Sequence, residues 1–176
     1  MKQIVIHAIQ QELVYDIENI THQLARHRTQ LTVEDQFVLQ TSDTETDRAI
    51  IKRSLDRAYN KVRRALSSVL MDETWGFADD DLKLTDVDGY FLYINVKDDF
   101  KEAKTEAAAM AFHDFLIHSA IFDWLLISKP DEALIYKELI DANLSELKGI
   151  AMDRSGFYTI NPYPDYKDDN NYRFNR

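Results

Sequence analysis

From Ala103 to Ile127 the chain reads AKTEAAAMAFHDFLIHSAIFDWLLI, its most apolar stretch. Wound as a helix, this segment places Ala107, Met110, Ala111, Phe115, Ile121, Phe122 and Leu125 on one side and Phe112, Leu116 and Trp124 on others. A helix that is apolar all round needs neighbours on several sides, so it belongs at the centre of a bundle or in a membrane. Asp114 and Asp123 lie inside it; each would cost about 2.5 to 3.5 kcal/mol at a bilayer centre. The expectation is therefore a buried core helix around which the rest of the chain packs.

At 176 residues the chain can bury a substantial core without metal or disulfide staples. Cysteine is absent, which removes disulfides and cysteine-ligated zinc or iron-sulfur sites and fits a reducing compartment. The N-terminus MKQIVIHAIQQE has no continuous apolar run and no small-residue cleavage site, so no signal peptide is expected. Four Gly and three Pro in the whole chain disfavour an all-β sandwich or a Gly-rich nucleotide loop and favour long helices. The net charge of −10 is uneven: residues 1–72 hold ten Lys or Arg and ten Asp or Glu, and residues 73–176 hold eleven against twenty-one. Such an acidic chain is a poor autonomous DNA binder, because that affinity comes from phosphate neutralisation.

The fold class expected is mainly α: a helical bundle over residues 1–150 with a β-hairpin inserted at about 79–97, followed by an extended C-terminal arm over 151–176. Ile6, Ile9, Leu13, Ile17, Ile20 and Leu24 recur at spacings of three and four, which predicts a first helix from about Gln3 to Arg26. The period is lost between Arg28 and Thr41, where Gln36–Gln40 reads as a short extended segment. Ser42-Asp43-Thr44-Glu45 has the S-x-x-E form of a capping box and opens a second helix. Its apolar stripe runs through Ile51, Leu55, Ala58, Tyr59, Val62, Leu66 and Val69.

The other faces of the second helix carry Lys52, Arg53, Arg57, Lys61, Arg63 and Arg64. One reading is a solvated surface whose late cations suit the negative end of the helix macrodipole. The other is a contact face, with Arg53, Arg57, Lys61 and Arg64 as its candidate residues. Asp88-Gly89 between Leu82–Leu84 and Tyr90–Val96 predicts a hairpin through a type I′ turn.

Asp98 or Asp99 is the expected N-cap of the core helix. Ser128-Lys129-Pro130-Asp131 closes it and opens a last helix, with Pro in a first turn where its missing N–H is not wanted. So short a connection predicts an antiparallel αα-hairpin. The last helix presents Ala133, Tyr136, Ile140, Leu144 and Leu147 and is expected to stop at Gly149. Beyond it lie Gly156, Pro162, Pro164 and six aromatics, Phe157, Tyr158, Tyr163, Tyr166, Tyr172 and Phe174. The polar background reads as a tail, whereas the aromatics read as an arm that docks on a surface, since rings supply contact area at low entropic cost.

No catalytic or cofactor motif emerges, and the chain is not expected to be an enzyme. His113-Asp114 has the doublet of helical HD-type phosphohydrolases, but no His lies between His27 and His113 to complete that site. His113 and His118 are five apart, about 140° round a helix, so they do not share a metal as an i, i+4 pair does. Asp86-Val87-Asp88-Gly89 copies the middle of an EF-hand loop, yet Leu84 and Asn95 fall where the first and last ligands belong. G-x-S-x-G, P-loop and dinucleotide fingerprints are absent from the sequence. No cofactor and no metal are expected.

The order of elements and the texture of Glu106–Met152, with AAAMAFHDFLIHSAI followed by DEALIYKELIDANLSELKGIAM and then NPYPDY, resemble the head-to-tail adaptor (connector ring) proteins of tailed bacteriophages. The resemblance covers about the last two fifths of the chain. It implies a structural virion protein of the neck, a homo-oligomer of twelve copies beneath the portal, with portal and tail proteins as partners. It also implies a lumen through which DNA passes without specific binding, no membrane contact, and assembly in the host cytoplasm. The alternative is a cytoplasmic helical regulatory or protein-binding module.

Overall fold

The computed structural model describes residues 2–26, 41, 44–70 and 88–152. Within them the chain is mainly α, with four helices and one two-stranded antiparallel β element: β1 (Lys2–Ile9), α1 (Gln10–Arg26), α2 (Glu45–Ala65), β2 (Gly89–Val96), α3 (Glu102–Ser128) and α4 (Pro130–Ala151).

Helix α3 is the axle. Ala108, Ala111, Phe112, Phe115, Leu116, Ile117, Ala120, Ile121 and Leu125 are all buried, and α1, α2, α4 and β1 pack against it. By length and composition α3 could cross a membrane; its buried side chains pack against other parts of the same chain, whereas Leu126 and Ile127 at its end are exposed. Met110 departs from expectation, being 68% exposed. Its neighbours Ala108 and Ala111 face the core in its place.

The N-terminal segment also departs from expectation. Lys2–Ile9 is a strand, and the first helix starts only at Gln10. Ile6, Ile9 and Leu13 fit a helical period, but Ile4, Ile6 and Ala8 fit a period of two, and the β-branched run Ile4-Val5-Ile6 is stiff in a helix and suited to a pleated surface. The partner decides between the two. β1 pairs with β2 from Lys2↔Val96 to Ile9↔Gly89, and the pairs Ile4↔Ile94, Ile6↔Leu92 and Ala8↔Tyr90 all turn inward and are buried. The backbone N–H of Gln10, an orphan donor at the head of α1, is satisfied by the carbonyl of Asp88 at 3.0 Å.

Tyr90–Val96 is a strand, as expected, and the expected first arm of its hairpin, Leu82–Leu84, lies outside the described residues. The type I′ turn at Asp88-Gly89 is not formed, because Gly89 is the first residue of β2. Glycine is required there by close approach: a Cβ at position 89 would lie 2.8 Å from the backbone oxygen of Ala8. On its other edge β2 meets Leu70, which bridges to Ile94, while Asn95 N–H donates to Val69 O at 2.9 Å.

Three helix ends differ from the sequence reading. The N-cap of α2 is Thr44, whose hydroxyl accepts from Asp47 N–H at 3.3 Å. This is the same side-chain logic, two residues beyond Ser42, which itself lies outside the described residues. The N-cap of α3 is Lys101, with no side-chain cap, and Asp98 and Asp99 sit in the preceding turn. Helix α4 runs through Gly149 to Ala151. Burying Ala151 and packing Ile150 and Met152 against the core outweighs the roughly 1 kcal/mol by which Gly disfavours a helix interior.

The connection between α3 and α4 is the single residue Lys129, so the two helices return antiparallel. Phe115, Ile121 and Leu125 are buried against an α4 face made by Ala133, Ile140 and Leu147, with Phe122, Tyr136 and Leu144 partly covered at its margins. Pro130 opens α4 as expected.

Candidate functional site

Helix α2 lies across α3 and β2 and is fixed by its tyrosine. Tyr59 donates its hydroxyl proton to Phe91 O at 2.7 Å and packs its ring 5.1 Å from that of Tyr90. Tyr90 in turn donates to Asp56 at 2.9 Å. Burial and the adjoining Asp56 carboxylate raise the Tyr90 phenol well above its ordinary range, so it serves as a permanent donor. Ile51, Ser54, Leu55, Ala58 and Val62 form the buried face of α2. Arg53, Arg57, Lys61 and Arg64 then fall together on one exposed stripe, since i, i+4, i+8 and i+11 share a helix face.

The structure divides these four cations. Arg57 reaches α3 and forms a 3.3 Å ion pair with Asp123, and Lys61 Nζ stands 5.7 Å over the ring of Phe115. Both line a groove of about 280 Å³ between α2, α3 and α4. Ala58, Phe122 and Ile140 provide its apolar surface, and Ser54, Ser119, Lys137 and Asp141 complete its walls. Arg53 and Arg64 are exposed and do not line the groove. Phe157, Tyr158, Tyr163, Tyr166, Tyr172 and Phe174 lie outside the described residues.

A pocket of drug-sized ligands is typically about 300–1,000 Å³, so this groove suits one or two side chains of a peptide. Arg57 is neutralised by Asp123. Lys61 and Lys137 remain against the single carboxylate of Asp141, which leaves the lining mildly cationic.

The histidines noted in the sequence take structural positions. His113 Nε2 lies 3.5 Å from Asp16 of α1, and its Nδ1 lies 3.8 Å from Asp114, which ties α1 to α3. The His118 ring lies tilted against that of Tyr136, 5.7 Å between centroids, and meets the amide nitrogen of Asn143 at 2.9 Å through Nδ1. An amide nitrogen can only donate, so the ring accepts there and carries its proton on Nε2. Burial lowers the His118 pKa below its usual value of 6.5, against the opposing pull of Asp114. Among the described residues no three His, Asp or Glu converge as metal ligands would.

A further surface was not singled out in the sequence. Leu126, Ile127, Leu134, Ile135 and Leu139 are 40–77% exposed. Most of these flank the α3–α4 connection. Counting heptads could have found it, because Leu134, Ile135 and Leu139 fall off the Ala133–Ile140–Leu147 stripe. Comparison with known proteins returned no family model, no curated protein and no solved structure that matches this chain.

Proposed function

We propose that this chain is a structural subunit of a head-to-tail connector ring, joining a phage portal to the tail through its C-terminal arm. The observation that carries the reading is the α3–α4 hairpin: an Ala-rich core helix, a one-residue turn, and a second helix that leads directly into the aromatic segment. Supporting it are the large apolar side chains left open at the turn end, Ile127, Leu134 and Ile135. Soluble monomers seldom leave such residues grouped without a partner. In a closed ring each subunit offers one surface to the next and receives a different one. The exposed cations Arg53 and Arg64 are the charged part of that contact, and DNA crosses the acidic lumen without being held.

The second reading, a cytoplasmic protein-binding module, is favoured by the mildly cationic groove, which has the size and lining of a seat for a short peptide.

The two readings separate in one experiment. The full chain and a variant lacking residues 156–176 are each mixed with the candidate portal and sedimented, alongside Arg53→Glu/Arg64→Glu. Neck function requires the full chain to co-sediment, the truncated chain to fail although it remains folded, and the charge-reversed chain to associate more slowly at low salt. Attachment by the truncated chain, or no attachment by the full one, would sink the connector reading.

A further inference from the structure

Residues 153–176 follow α4 directly, and their chemistry matches the groove that α4 helps to form. Between Tyr163 and Asn170 the sequence is YPDYKDDN, two tyrosines with three Asp against one Lys. The groove offers the complement: an apolar floor of Ala58, Phe122 and Ile140 beneath Lys61 and Lys137. A tyrosine ring placed on such a floor meets cations at its face, and the flanking carboxylates meet the same ammonium groups.

The lengths agree. Met152 is twelve residues beyond Ile140, about 18 Å along the helix at 1.5 Å per residue. A reversal at Gly156, the one residue of the segment with free access to positive φ, leaves seven residues to Tyr163, about 23–25 Å of extended chain. Pro162 and Pro164 bracket Tyr163, and because proline restricts its own backbone and that of the residue before it, less entropy is lost on seating such a run.

We infer that the α2–α3–α4 groove is the seat of the chain's own C-terminal segment, with Tyr163 and Tyr166 on its floor and Asp165, Asp168 and Asp169 toward Lys61 and Lys137. Its own segment is favoured over a second copy by concentration. A short tether supplies an effective concentration of roughly millimolar, so a contact too weak to join two chains at micromolar concentration is already populated within one. The inference goes beyond the connector reading and stands without it. If the chain is a connector, the arm leaves this seat when the portal or a neighbour takes it.

The test uses the full chain. With no native cysteine, Asn170→Cys supplies a single thiol for a nitroxide label, and amide signals of the ¹⁵N-labelled protein report what the label approaches. Expected is a loss of signal at Ser54, Ala58, Lys137, Ile140 and Asp141, with His7 and Tyr15 unaffected. The groove signals should return when Lys61→Glu and Lys137→Glu are added and stay lost in the Arg versions of both. Loss centred on Leu134, Ile135 and Leu139, no localised loss, or persistence of groove loss in the Glu variant would each overturn the seat. A mixture of nitroxide-labelled ¹⁴N chain with unlabelled ¹⁵N chain should show no groove loss. Loss there would assign the seat to a second copy and refute the proposal.

Discussion

Replacing Phe115 by Ala tests whether α3 is the axle of the fold. Phe115 is fully buried, with Lys61 above its ring and the α4 stripe of Ala133, Ile140 and Leu147 nearby. Removing a ring from such a site loses its transfer free energy and leaves a cavity that the close-packed helices cannot fill, together about 3–5 kcal/mol. Domains of 150–250 residues lose about 2–4 °C of melting temperature per kcal/mol, so a shift on the order of 12 °C is expected. Phe122, two turns further along the same side of α3 and lining the groove, is only partly buried. Phe122→Ala opens the groove to water without creating a closed void, and the expected loss is about 1–2 kcal/mol. Urea titration of both variants, with unchanged m-values, provides the measurement. A loss below about 1 kcal/mol for Phe115→Ala, or equal losses for the two, would show that the core lies elsewhere.

Gly89→Ala should destabilise by about 1–3 kcal/mol, because the new methyl meets backbone at Ala8 and cannot be relieved by a rotamer change; an unchanged urea midpoint would refute the β1–β2 register. Gly149→Ala should do the opposite and stabilise by about 0.5–1 kcal/mol, since the site is helical and exposed with nothing near the added Cβ. The depressed pKa of His118 means that the unfolded chain binds its proton first on acidification. Its contribution is therefore fully present above pH 6.5 and is lost as pH falls through the lower folded value. His118→Gln should flatten stability against pH in that window, read from melting temperatures across a buffer series.

Much of the fold was legible because it is local. Helix α3 announces itself by being apolar on all sides, and Pro130 marks the start of α4 without reference to anything else. The misreadings are non-local or marginal. Ile6 falls on both a helical period, with Ile9 and Leu13, and a strand period, with Ile4 and Ala8, and the choice is made by a strand more than eighty residues away that no local pattern reveals. Gly149 looked like a helix stop, but the core contacts of Ile150 and Ala151 carry the helix past it. At Gly89 the glycine serves close approach to the Ala8 backbone and not the positive φ of a type I′ turn, a contact set by β1 pairing that the local sequence does not show. The basic stripe on α2 was visible as a pattern. Its division was not, because the Arg57–Asp123 pair spans 66 residues of sequence and the groove takes its lining from three helices.

The most direct test of the connector reading is electron microscopy of the purified full chain, alone and with its candidate portal. The reading predicts closed rings of twelve subunits that stack coaxially on the portal. Monomers at every concentration, with portals left bare, would contradict it.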